Sequence, residues 1–199
     1  MSAPRTPYAP DMPRLATEAP VSAPEPGGSL SEARLVDAEL SGRRVAGLRL
    51  TDVVIQGGNL ANLVAPEPAL RRVAVSGARL TGVQWTAGTI TDAVLRDCRI
   101  DLATFAGTTF ERTVFDGCVL AQADFRDALL RSVRFDHCDL SGADLTGVRL
   151  DRCELRACTL DGLVGLERLR GAAMPWADLV GHAGVFAAAL GIRVIDPDE

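Results

Sequence analysis

The chain has 199 residues, 47% hydrophobic and 24% charged, with a net charge of −5, 21 basic residues that are all arginine, and two histidines. The acidic balance argues against a general affinity for nucleic acid backbones, and no stretch approaches the ~20 apolar residues of a membrane-spanning helix. Neither His137 nor His182 has a serine, cysteine or aspartate placed to make a nucleophile and base, and no GxxxxGK(S/T), dinucleotide fingerprint or HExxH motif occurs, so no enzyme activity, cofactor or metal is expected.

Residues 1–27 hold seven of the eleven prolines and read as a disordered or extended lead, part of it available to cover the start of the adjoining region. The start, Met1-Ser2-Ala3-Pro4-Arg5-Thr6-Pro7, lacks the apolar core of a signal peptide. With an odd number of cysteines, this points to a cytoplasmic home.

From Leu30 to Leu160 every fifth residue is large and apolar, Ala65 being the one lapse among 27 positions. Neither the 3.6-residue period of a helix nor the 2-residue period of a strand gives such a series. Two residues before the large positions, here called i, small or compact side chains prevail, as at Ala33, Ala93, Cys98, Ala103, Thr108, Cys118, Ala123 and Ala143. A five-residue unit can bury nothing alone, whereas stacked units bury a continuous column, so the spacing predicts a solenoid. Its core column includes Phe105, Phe110, Phe115, Leu120 and Phe125 with Cys98, Cys118, Cys138 and Cys158.

Stretches such as Ala123-Asp124-Phe125-Arg126-Asp127 and Ala143-Asp144-Leu145-Thr146-Gly147 resemble the A(D/N)LxX consensus of the pentapeptide-repeat family. The resemblance implies an all-β solenoid, a right-handed quadrilateral β-helix with four pentapeptides per coil and with i and i−2 pointing inward. At four units per coil the 27 positions make about 6.75 coils, roughly 32 Å of rod at ~4.8 Å per strand spacing.

All five cysteines, Cys98, Cys118, Cys138, Cys153 and Cys158, fall at i−2, and four are twenty residues apart. They read as a buried column of small hydrophobes whose side chains lie parallel, rather than as disulfides or a zinc site. Ala65-Pro66-Glu67-Pro68-Ala69 breaks the pattern, and its prolines predict a bulge or kink.

The regular rod spans 28–162. An irregular last coil, 163–174, is expected to be shifted by one residue onto Val164, Leu169 and Met174. Residues 175–199 read as a capping α-helix from Pro175 to Leu190, with Trp176, Leu179, Val180, Phe186 and Leu190 on one face and Gly191 as the stop. Ile192-Arg193-Val194-Ile195 is expected to add a short strand. The helix would cover the open edge of the last coil. The resemblance extends to the C-terminal helical module of the quinolone-resistance, gyrase-binding branch of the family, which implies a homodimer through this tail.

Some family members resemble duplex DNA and bind DNA gyrase, which implies gyrase modulation as one role. Such mimicry needs a long acidic face. Residues 28–162 carry 18 acids and 16 arginines, a net of −2, and no wall is strongly acidic; Asp124, Asp127 and Asp144 form the best candidate acidic patch for a partner. The expectation is therefore a non-enzymatic scaffold whose flat walls meet an unnamed protein partner, with no direct nucleic acid or membrane contact, and with gyrase modulation as the alternative.

Overall fold

The computed structural model describes residues 6–14 and 28–195. Eight strands form one parallel sheet: β1 (Ser29–Val36), β2 (Arg49–Gln56), β3 (Ala69–Ser76), β4 (Thr89–Arg96), β5 (Thr109–Asp116), β6 (Leu129–Asp136), β7 (Arg149–Asp151) and β8 (Glu154–Arg156). They stack in sequence order, with β8 beside β7 on β6. Every pairing has a register of twenty residues, such as Leu50 opposite Leu70 and Phe115 opposite Phe135. Two further walls are ladders of single bridges in the same register, Glu39–Asn59–Arg79–Arg99–Val119–Asp139–Thr159 and Arg44–Val64–Gln84–Thr104–Asp124–Asp144–Val164. The molecule is a parallel β-solenoid with four walls per coil.

The corners follow from backbone geometry. At every i+2 position from 32 to 162 the backbone is left-handed, at ten glycines and seventeen other residues. A left-handed residue turns the chain through a corner within four residues, so four such turns complete one coil. At Leu40, Leu60, Leu80, Phe105, Leu120, Phe125, Leu140, Leu145 and Leu160 the carbonyl then accepts the N–H of residue i+3. The first strand of each coil is bent in its middle by such a residue, so β1 to β6 each serve two walls.

From Leu60 to Val148 both inward positions are buried, while towards the ends Leu30, Ala38 and Leu150 are half-buried and Arg43, at an i−2 position, is exposed. The central coils are filled by aromatic rings, with Phe115 stacked on Phe135 at 5.1 Å and 6°, and Phe105 above Phe125 at 5.1 Å. The buried Thr108 hydroxyl donates to the Trp85 carbonyl at 2.6 Å. All five thiols are free and buried, and each donates to the carbonyl of residue i of the preceding coil, as Cys118 does to Leu95 at 3.3 Å and Cys153 to Leu130 at 3.3 Å. Burial pushes the Cys153 thiol up to about 11. In the stacked column, hydrogen bonding to Cys118 together with burial raises Cys98, and a thiolate formed there would settle on Cys118, which Cys138 and Cys98 flank as donors. These thiols act as compact core side chains.

The bulge or kink expected at Ala65–Ala69 is absent. Ala65 and Glu67 donate to the carbonyls of Gln84 and Thr86 at 2.8 Å, Ala69 donates to Leu48, and the Pro66 and Pro68 carbonyls accept from Gly47 and Thr89. Ladder donors sit at i−1, i and i+2, and Pro66 and Pro68 occupy i+1 and i−2, where no ladder N–H is required. The next coil makes room: a Cβ on Gly88 would lie 2.2 Å from the Pro68 ring. Trp85, directly after Ala65 in its column, is buried and restores the large side chain.

The shifted last coil also differs from expectation. Val164 still bridges Asp144 in the regular register and is 49% exposed, while Leu163 and Leu166 are the buried residues. Gly165 takes position i because a Cβ there would lie 2.9 Å from the Leu145 carbonyl carbon. A 3-10 turn, Leu166–Leu169, then replaces the next wall, with Leu169 and Met174 packed at the edge of the core.

The single expected helix is two, α1 (Trp176–Gly181) and α2 (Ala183–Ala189), broken at His182. Gly181 and Gly184 flank the break, where intrinsic helix propensity is lowest. Residues 192–195 form no strand.

Candidate interaction surfaces

The aspartates that precede each large residue have a local task. The Asp124 carboxylate accepts the Arg126 N–H at 2.9 Å, Asp139 that of Ser141 at 2.9 Å, Asp144 that of Thr146 at 2.8 Å, and Asn59 that of Ala61 at 3.1 Å. Each satisfies the i+1 amide that the ladder leaves free, which is the physical reason for D/N at this position.

Of the three aspartates singled out from the sequence, Asp124 and Asp144 are bridge partners on one wall, and Asp127 lies at the next corner with a left-handed backbone. Arg126 neutralises much of that patch. It binds Asp124 through Nε at 3.0 Å and Nη2 at 2.7 Å and reaches to 3.9 Å from Asp144. The Arg126 hydrogen bonds hold the Asp124 carboxyl below the usual carboxylate range.

A column of charged corners lies apart from these aspartates. The corner residues Glu32, Asp52, Arg72, Asp92, Arg112, Ser132 and Arg152 form one axial column, all left-handed. Arg72 is bidentate on Asp52, with Nε at 2.6 Å, and Arg112 is bidentate on Asp92 at 2.6 and 3.0 Å. Asp52 is held down to about 2 by the Arg72 hydrogen bonds. At Asp92 burial raises the pKa, and the bonds from Arg112 and the Asp11 amide outweigh it and leave it lowered.

Residues 6–14 lie along this column. The Arg14 N–H donates to Asp52 at 2.9 Å, the Asp11 N–H donates to Asp92 at 3.2 Å, and the Arg152 guanidinium sits 4.9 Å from the Tyr8 ring centre. Residues 15–27 and 1–5 lie outside the described residues. Sequence reasoning missed this column. Its signals were opposite charges twenty residues apart at 52/72 and 92/112, and prolines at 4, 7, 10 and 13.

Comparison with known proteins fits this geometry. Residues 89–164 match the family model described as a pentapeptide repeat region. Residues 89–164 are a pentapeptide-repeat region. Among solved pentapeptide-repeat structures the chain is similar to HetL, involved in heterocyst differentiation regulation in the cyanobacterium Nostoc sp. The identity is 20% over 76% of this chain and 84% of HetL, with a TM-score of 0.46. It is also similar to QnrB1, a plasmid-mediated fluoroquinolone resistance protein, at 16% identity over 84% of this chain and 92% of that one, with a TM-score of 0.41. No curated protein matches the chain.

In this rod the last coil is closed by side chains. The Ala157 N–H, which in earlier coils would donate to the carbonyl nineteen residues on, donates to the Asp178 carboxylate at 2.6 Å. The Cys158 carbonyl, which would accept from a further coil, is met by His182 Nε2 at 2.8 Å. This contact assigns the proton to Nε2. Phe186 and Val185 pack on the core. Trp176 (76% exposed), Leu190 (74%), Leu179, Val180, Ile192, Val194 and Ile195 stay in solvent. Between the last coil and α2 runs an open groove of about 890 Å³, lined by Val148, Leu150, Leu166, Leu169, Phe186 and Leu190 among others. Among the described residues no group of three metal-ligating side chains converges, and no helix is long and apolar enough to cross a membrane.

Proposed function

We propose that this protein is a non-enzymatic scaffold that acts in the cytoplasm by presenting rigid surfaces to protein partners, one of them a second copy of itself. The observation that carries this reading is the cap. Several large apolar side chains, Trp176 and Leu190 foremost, remain exposed on an element that already does its structural work through Asp178, His182 and Phe186. Exposed apolar patches of this kind mark association surfaces. The expected assembly is a homodimer through the C-terminal module. Light scattering after size exclusion should then give twice the 21.0 kDa chain mass, and Trp176→Asp with Leu190→Asp should return it to the monomer. A wild-type monomer at every concentration overturns the self-association.

Gyrase modulation is the alternative, and the charge distribution weighs against it. The rod's net charge is −2, and the carboxylates best placed to imitate phosphates are engaged by Arg126 and by turn amides. Titration of the protein into a gyrase supercoiling reaction, with and without a fluoroquinolone, decides between the two. Inhibition or drug protection that salt weakens, and that Asp124→Arg with Asp144→Arg abolishes, would replace the scaffold reading.

A further inference from the structure

The seating of residues 6–14 on the corner column is periodic in both partners. Pro7, Pro10 and Pro13 are half-buried, and the six other residues of the segment are exposed. Three residues of polyproline II conformation advance about 9.3 Å, and two coils of the rod advance about 9.6 Å. Arg14 meets Asp52 and Asp11 meets Asp92, three residues against forty. The same step leads from Asp11 to Tyr8 and from Asp92 to Ser132, and the Tyr8 ring reaches on to Arg152 in the next coil.

Each contact is made by the residue that comes after a proline: Tyr8, Asp11 and Arg14. The prolines fix an extended backbone, and at Asp11 and Arg14 the amide after the proline donates to a carboxylate of the column. Arg72 and Arg112 hold those carboxylates in place and keep them ionised. Recognition uses backbone N–H groups and proline spacing, so it asks for little beyond a P-x-x repeat. None of residues 6–14 belongs to the hydrophobic core, which is built from residues 33–166.

We propose that the corner column Asp52–Arg72–Asp92–Arg112 is a binding track for an extended proline-rich segment of a partner protein, with residues 6–14 as its resident occupant in cis. The inference deepens the scaffold reading and rests on it, since it names the class of partner that one edge of the rod takes. A partner segment with prolines three apart would displace the resident one, and the displaced residues would become accessible.

The test uses the full-length chain. Limited trypsin digestion follows cleavage after Arg14, and fluorescence anisotropy follows a labelled synthetic peptide of residues 6–15. In a Pro7→Gly, Pro10→Gly, Pro13→Gly variant, cleavage after Arg14 is expected to accelerate at least tenfold, and the labelled peptide to bind at least tenfold tighter than to wild type. Adding Asp52→Asn and Asp92→Asn, with the far-ultraviolet circular dichroism unchanged, should remove that binding. Wild-type cleavage as fast as the variant's would show that the segment is not seated. A released segment with no peptide binding would show a permanent strap rather than a track. Either result overturns the proposal and leaves the cap-mediated dimer measurement untouched, so the two readings fail separately.

Discussion

Phe115 offers the sharpest test of the inward register. Its ring is fully buried, lies parallel to Phe135 at 5.1 Å, and meets Phe110 at 5.7 Å and Phe125 edge-on at 6.5 Å. Truncating a buried phenylalanine to alanine costs about 3–5 kcal/mol, and three ring contacts worth ~0.5–1.5 kcal/mol each beyond burial place this site near the upper end. One residue on, Asp116 points outward and pairs with Arg96 at 3.0 Å, the arginine exposed and the carboxylate half-exposed. Such a pair contributes about 0–1 kcal/mol. Urea unfolding can be followed through the buried Trp85 in a Trp176→Phe background, since these are the two tryptophans. With a slope of ~2 kcal/mol per molar, Phe115→Ala should lower the midpoint by about 2 M and Asp116→Ala by less than ~0.5 M. Equal shifts for the two variants would mean that the assignment of inward and outward positions is wrong.

Three further perturbations probe the corners. Gly88→Ala drives a Cβ to 2.2 Å from the Pro68 ring and 2.5 Å from its carbonyl oxygen; a loss of about 1–3 kcal/mol is expected in urea, and Pro68→Ala should rescue it only in part because the carbonyl remains. Leu102 holds a left-handed backbone at φ 59° with its side chain in solvent, a conformation costly for a branched side chain and tolerated by asparagine. Leu102→Asn should therefore raise the melting temperature by about 2 °C, and a fall would refute the strain argument. Asp52 is depressed from 3.8 to about 2, so its stabilisation is present above pH ~4 and lost as pH falls from there through 2. Melting temperatures measured across that window should drop less steeply for Asp52→Asn than for wild type, and parallel curves would exclude Asp52 as a contributor.

The parts of the fold legible in the sequence are those imposed many times over. One rule, large at i and small at i−2, recurs along the rod, so a local lapse such as Ala65 cannot shift the register. The prolines at 66 and 68 mislead because they read as strand residues, whereas in a five-residue unit only three of five N–H groups enter the ladder. Val164 misleads for the opposite reason: an apolar residue is expected to face inward, and the glycine beside it holds the position. The division of the terminal helix turns on two glycines and one hydrogen bond from His182 to the Cys158 carbonyl, a contact between residues 24 apart that no periodicity encodes. The aspartates of the candidate patch are visible as charges but not as turn caps, since the amide each one satisfies is identified only once the ladder is known.

That commitment of polar groups explains where interactions can arise on such a rod. Along the regular walls, backbone amides and carbonyls are spent on the neighbouring coils, and the aspartates before each large residue are spent on the i+1 amides. A partner meeting these walls finds few unsatisfied donors or acceptors. The situation differs at two places. At the C-terminal edge the next coil is missing, and Asp178 and His182 supply the hydrogen bonds it would have made, so the edge is closed to further strands and what remains outward is apolar. At the corner column the carboxylates of Asp52 and Asp92 stand free of any turn amide of their own and accept instead from a segment distant in sequence. Both exceptions involve chain outside the repeat, because only residues released from the five-residue constraint can bring new donors or apolar surface to the rod. Specificity in this protein should accordingly track changes in residues 6–14 and 175–195 and be insensitive to conservative exchange of outward residues on the walls.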